Sequence, residues 1–256
     1  MEVVKESSGT KDRGGLRAPE QLPLLIAPTP KRPRKPKRGR PRKPRAGSPH
    51  KRRPPLSRHC PVHVVLRTVA AVGSLRRRHA YHAIRAATVV TGLREDFRIV
   101  HLSIQRTHLH LIVEASHRRA LARGLQGFQI SAAKHLNRAL SRSEPGARRR
   151  GTVFPDRYHA EVLRSPRQAR HALNYVLNNW RKHVEDRAPR LAGWTIDWFS
   201  SGWSFPDWAE YGDDPLLWPA PPTYEPLFVR RPQTWLLRTG WKRHGLISYR
   251  EVPSSR

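Results

Sequence analysis

The sequence predicts an α/β domain: an antiparallel sheet of four or five strands with helices packed on it, preceded by a basic tail. Three observations lead there. Short β-like runs recur between residues 61 and 163, and one of them, 107–114, alternates with period two. Apolar residues at helical spacing fill the stretches between those runs. The first 58 residues have a composition that cannot bury enough apolar surface to offset chain entropy.

The 256 residues leave room for one fair-sized domain with tails, or for two small ones. A formal net charge of +31 implies a polyanionic partner, nucleic acid before an anionic membrane. No acidic residue lies between Glu20 and Glu95, whereas residues 191–256 hold seven acidic and seven Lys/Arg residues, so the whole excess belongs to residues 1–190. Cys60 is the only cysteine, which excludes an intrachain disulfide and a Cys-rich zinc site. Met1 to Gly15 is polar, with no apolar core of a secretory signal. The run Leu22 to Ala27 is far short of the roughly 20 apolar residues that span a bilayer. The expected location is therefore the cytoplasm, in association with the nucleoid.

Residues 1–58 read as a disordered basic tail. Lys31 to Arg45 carries ten Lys/Arg and four Pro in fifteen positions. Within it, Arg38-Gly39-Arg40-Pro41 resembles an AT-hook. Gly39 lets the backbone approach the floor of the groove and Pro41 holds an extended path. Arg38 and Arg40 then reach into the narrow minor groove of A·T tracts. The alternative is a general phosphate-binding tail acting through counterion release. Both readings make the tail a nucleic-acid contact.

Residues 59–190 hold the domain. Pro61 to Thr68, with Val62, Val64, Val65 and Leu66, is the first expected strand. Ser74 is placed to cap a helix running to about Val90, with Leu75, Tyr81, Ile84 and Thr88 on its apolar face. Arg76, Arg77, Arg78 and Arg85 form a basic edge, and the first three are candidate DNA contacts. Gly92 marks the helix end. Phe97 to Gln105 is a second strand, and a short turn at 105–107 leads into a third, His108 to Glu114.

That third strand is the centre of the reading. Leu109, Leu111 and Val113 alternate with His108, His110 and Glu114, so the two imidazoles project side by side from one face of the sheet, close enough to share one metal ion. Glu114 reads either as a support for a histidine or as a solvated strand end. Residues 117–141 form a long basic helix with Leu121, Leu125, Phe128, Ala132, Leu136 and Leu140 along one side. A charged loop, Ser141 to Gly151, and a further strand, Tyr158 to Leu163, follow.

Ser165-Pro166-Arg167-Gln168 is a helix start, with Ser at the cap, Pro in the first turn and Gln at the third position. Wound at about 100° per residue, the helix puts Ala169, Leu173, Val176, Leu177, Trp180 and Val184 on one side. Gln168, His171, Tyr175, Asn178, Asn179 and Lys182 fall on the other. Tyr175 and Asn179 share one edge and can serve one site. Residues 191–256 form a Trp- and Pro-rich extension holding seven of the eight tryptophans. Packing of those rings against the domain is the adopted reading, and a surface that stacks unpaired bases is the other.

Taken together, His108-Leu109-His110, Tyr175 and Asn179 resemble the HUH tyrosine transposases with one catalytic tyrosine, in particular the REP-associated branch and its insertion-sequence relatives. Phe154 to Leu163 is also similar, and the likeness covers about residues 61–185. The resemblance implies a ferredoxin- or RRM-like HUH domain, with His108, His110 and Asn179 as ligands of Mg²⁺ or Mn²⁺ and Tyr175 as nucleophile. It implies single-strand DNA cleavage and rejoining through a 5′-phosphotyrosine, on single-stranded or hairpin DNA, by a monomer or homodimer. The chain departs from the commonest branch pattern in having Arg106-Thr107 before the histidine pair and Trp180 after Asn179, where that branch has Pro-Asn and Pro. Two rival readings fit the chain less well. A non-catalytic DNA-binding descendant has no need of the triad, and a histidine-triad hydrolase would need a third His at position 112, which is Ile. A replication initiator would bring a helicase region, and no phosphate-binding glycine loop is present.

Overall fold

The computed structural model describes residues 55–143, 149–184, 187, 196–211 and 223–254. The AT-hook-like stretch, Arg38 to Pro41, lies outside the described residues. Four strands, β1 (Val62–Arg67), β2 (Phe97–Ile104), β3 (His108–Ala115) and β4 (His159–Val162), form one antiparallel sheet in the order β2-β3-β1-β4. Helices α1 (Arg78–Gly92), α2 (Arg118–Ser143) and α3 (Pro166–Lys182) interleave them, giving β1-α1-β2-β3-α2-β4-α3. This is the split β-α-β order of ferredoxin-like folds. The expected α+β sheet is present, and β3, with its two histidines, is an interior strand.

The period-two pattern of β1 and β3 separates two cores. Val62, Val64, Leu66, Leu109, Leu111 and Val113 face α1 and α2 and join Ile84, Phe128 and Leu136 in the first. Ile112 and Val100 face the other way, into a second core with Leu173, Val176 and Leu177 of α3 and with Phe205, Trp208 and Trp241. A bulge in β2 between Ile99 and His101 lets Val100 join that second face while Ile99 and Leu102 stay in the first core. In α2, Gly124 lets Phe97 lie against the helix: a Cβ there would stand 2.2 Å from the Phe97 ring.

Two helix starts contrast. At α3 the expected cap is made: Ser165 Oγ accepts the Gln168 N–H at 3.2 Å, and Gln168 Oε1 accepts the Arg164 N–H at 2.8 Å. At α1 it is not. The helix begins at Arg78, with Arg77 as an N-cap that offers no side-chain bond; ahead of it Leu75 donates to Arg106 O and Arg76 binds Ile104 O and Asp197. Ser74 Oγ instead accepts the Arg76 N–H at 3.3 Å.

The segment after α3 is integral to the second core. Trp208 and Trp241 are buried, and Trp198 stacks on Trp203 at 5.1 Å. Trp235 is 48% exposed, with Arg243 over its ring. A short helix, α4 (Trp235–Arg238), starts beside Glu114, whose carboxylate accepts the N–H groups of Gln233 and Thr234 at 2.8–3.1 Å. Glu114 is thus not a solvated strand end. It anchors the C-terminal segment and lies 3.5 Å from Arg98. Among the described residues no helix is long and apolar enough to cross a membrane.

Candidate active site

Strand alternation puts His108 and His110 on the α3 face of β3, as expected, with their Nε2 atoms 2.9 Å apart. Two ligands of one cation, each about 2.1 Å from it and at right angles, are separated by about 3 Å, so the spacing suits shared ligation. Both rings are held neutral. Burial lowers His110 to about 2, helped by the neighbouring His63, His108, His183 and Lys182. Burial likewise lowers His108 to about 4, with His183 and Arg67 adding to it. Each therefore keeps a lone pair at neutral pH.

Helix α3 crosses this face and delivers Tyr175. Its ring stands edge-on to His110 at 5.0 Å between centroids, with the Lys182 ammonium 5.0 Å from its centre. Burial raises the phenol above its ordinary value of 10.0. Eight residues on, just past the helix end, the His183 ring lies 6.2 Å from that of His108. Asn179 lies one helical turn beyond Tyr175 and one before His183 on the sequence of α3. It is fully buried, and neither its Oδ1 nor its Nδ2 has a hydrogen-bond partner. A buried amide with nothing to bond is costly.

Among the described residues no three His, Cys, Asp or Glu side chains form a metal-binding group. The ligand set expected from the sequence, two imidazoles and one amide oxygen, would leave positions open for phosphate oxygens and water. Clefts flank the pair. One of about 630 Å³ is lined by Arg106, Thr107, His108, His183 and Arg187, and one of about 400 Å³ by His63, His110, His171, Tyr175 and Lys182.

The polar side of α3 is divided more finely than its periodicity shows. Asn178 is buried rather than solvated: its amide donates to Asn174 Oδ1 and to Ser248 O, both at 2.9 Å. Asn174 and Arg170 bind Glu251, and Arg181 Nε donates to Tyr249 O at 2.6 Å. Residues 245–251 thus run along the helix and fix its rotation, so Tyr175 stays aimed at β3. Val184, expected on the apolar side, is 49% exposed and has φ +59°, where it ends the helix.

The three arginines expected to contact DNA part company. Arg77 and Arg78 are exposed. Arg76 is 6% exposed and makes two bonds to Asp197, at 2.8 and 2.7 Å, plus one to Ile104 O. It belongs to the architecture, not to an exposed basic surface. His63 and His183 join the site without having been expected. His63 alternates with Val62 and Val64 on β1, but its place beside His110 needs the β1–β3 register, which no local pattern reveals.

No protein-family model matches the sequence, and no curated protein matches it. Among solved structures, the chain is similar to a REP-associated tyrosine transposase bound to a REP hairpin, with a TM-score of 0.43, 16% identity, and coverage of 73% of this chain and 100% of that one. It is also similar to a candidate transposase from Deinococcus radiodurans R1, with a TM-score of 0.33, 12% identity, and coverage of 55% of this chain and 96% of the other. These are likenesses of backbone course.

Proposed function

We propose that this chain is a single-tyrosine transposase of the HUH kind, which cuts one strand of DNA at Tyr175 and rejoins it. The observation that carries the reading is the meeting of Tyr175 on α3 with the neutral pair on β3, 5.0 Å from the His110 ring. A module that only binds DNA has no use for a phenol edge-on to one unprotonated imidazole of a close histidine pair, nor for a buried, unpartnered amide one helical turn further on.

In this mechanism Tyr175 Oη attacks the phosphorus of the scissile phosphodiester. The Oη–P bond forms and the P–O3′ bond breaks. The phenol gives up its proton and the departing 3′ oxygen gains one, leaving a 5′-phosphotyrosine and a free 3′-OH. The 3′-OH of an incoming strand reverses the step, so sealing needs no ATP. His108, His110 and Asn179 would hold a divalent ion, Mg²⁺ or Mn²⁺, which supplies the positive charge that offsets the phosphate and the departing oxygen. Burial keeps the phenol protonated until attack, and Lys182 over the ring favours the phenolate as it forms. Single-stranded or hairpin DNA is the substrate in this reading, with the basic tail supplying contacts to duplex beside it, AT-rich duplex if the hook operates. Transposition or recombination is the setting.

The test mixes full-length protein with end-labelled hairpin DNA, with Mg²⁺ or EDTA, and looks for an adduct that survives denaturant. An adduct that needs metal and disappears in Tyr175→Phe, with DNA binding retained, is the expected result. Tight binding without any adduct, on every single-stranded substrate tried, would replace the enzyme with the non-catalytic DNA-binding reading.

A further inference from the structure

We infer that His63 is a positioning residue for this site: its Nε2 accepts the Nδ1–H of His110 and so fixes the tautomer in which His110 turns its Nε2 lone pair toward His108. The inference rests on the metal reading above and assigns a role to a residue of β1 that the motifs do not mark.

Geometry carries it. The antiparallel register pairs Val65 with His110 and His63 with Ile112, so His63 is the diagonal neighbour of His110 on the same face of the sheet. The two rings stack at 5.3 Å with an interplanar angle of 20°, and His63 Nε2 lies 3.2 Å from His110 Nδ1. A neutral imidazole has one N–H and one lone pair. Both nitrogens of His110 are engaged, Nδ1 with His63 and Nε2 facing His108 Nε2 at 2.9 Å. A lone pair on Nε2 therefore requires the proton on Nδ1, and His63 Nε2 is the acceptor in reach.

A carboxylate or a backbone carbonyl commonly plays this part beside a ligating histidine. The acid on the same face of β3, Glu114, is occupied with Gln233 and Thr234. His108 is held more loosely: its Nδ1 faces Thr107 Oγ1 at 3.3 Å, where Thr107 is exposed and water can stand in. His110, at 4% exposure, depends on a protein partner. The His63 ring also meets Tyr175 edge-on at 5.9 Å, so it fills the corner between ligand and nucleophile.

The test uses the full chain carrying Tyr175→Phe, so that no chemistry intervenes, and has two readouts. Long-range ¹H–¹⁵N spectra of the metal-free protein report the His110 tautomer. Electron paramagnetic resonance reports Mn²⁺ affinity. His63→Phe keeps a flat ring but has no acceptor. It should leave His110 a mixture of tautomers and weaken Mn²⁺ binding about 10–100-fold, the usual cost of losing such a partner. His63→Gln, whose amide oxygen can take the same proton, should recover most of that loss, and Thr107→Ala should shift affinity least. Unchanged tautomer and affinity in His63→Phe, or His63→Gln as weak as His63→Phe, would overturn the inference. Absence of Mn²⁺ binding in the parent would sink the metal reading instead, and the tautomer spectra would still decide what His63 does.

Discussion

Arg76 and Asp197 form a two-pronged ion pair, at 2.8 and 2.7 Å, with side chains 1% and 0% exposed. The pair ties the loop before α1 to the segment after α3, and Phe199 lies against the guanidinium at 4.6 Å. Removing one member strands a buried charge. Arg76→Ala is expected to lower stability by about 3–5 kcal/mol in urea unfolding. Arg77→Ala and Arg78→Ala should each change it by less than about 0.5 kcal/mol. Those two should instead weaken DNA binding and reduce its salt slope by about one each. Equal stability losses at all three positions would contradict the assignment.

Asn179 offers a test in which stability and activity move apart. Because its amide is buried with no partner, Asn179→Leu, of similar shape, should raise stability by about 1–3 kcal/mol. The same change should abolish the DNA adduct, since the amide oxygen is gone. A less stable variant would show that the amide is bonded in the folded chain.

Three histidines bias stability with pH. Burial holds His101 and His108 near 4 and His110 near 2 in the folded chain, against an ordinary 6.5. The unfolded chain takes up those protons as pH falls through about 6.5, whereas the native state does not. Native stability is therefore whole above that value and declines below it. The decline from His101 and His108 runs to about pH 4, and that from His110 to about pH 2. Each contributes a slope of at most about 1.4 kcal/mol per pH unit. Urea titrations of the metal-free protein between pH 7.5 and 5 should show the fall, and His108→Gln with His110→Gln should reduce it to the part that His101 contributes. A flat wild-type profile would mean that the rings take protons in the native fold.

Val184 adopts φ +59° at the end of α3, a conformation that strains a β-branched residue. Val184→Gly is expected to stabilise the chain by roughly 1 kcal/mol in thermal or urea unfolding. A loss of stability would show that the Val184 side chain makes contacts worth more than the strain.

The parts of the fold that local chemistry dictates were legible. Alternation in β1, β2 and β3 and the Ser165–Gln168 start of α3 follow from residues within a few positions of one another. So do the placements of His108 and His110 on one face and of Tyr175 on the side of α3 away from Leu173 and Leu177. What could not be read depends on partners far along the chain. Arg76 looks like its neighbours until Asp197 is brought to it. Asn178 looks solvated until residues 245–251 cover it. His63 becomes a site residue only when β1 lies beside β3. Ser74 has the chemistry of a cap, but Leu75 is bonded to Arg106 O and Arg76 to Asp197 and Ile104 O, so winding starts only at Arg78.

The sheet also acts as a partition. Leu109, Leu111 and Val113 answer to α1 and α2, whereas His108, His110 and Ile112, one residue out of phase, answer to α3 and the segment behind it. Substitutions on opposite faces share few partners, so their free-energy effects should combine almost independently. The face that holds the candidate chemistry can then drift in sequence, or acquire a different specificity, without reopening the packing that selects the topology.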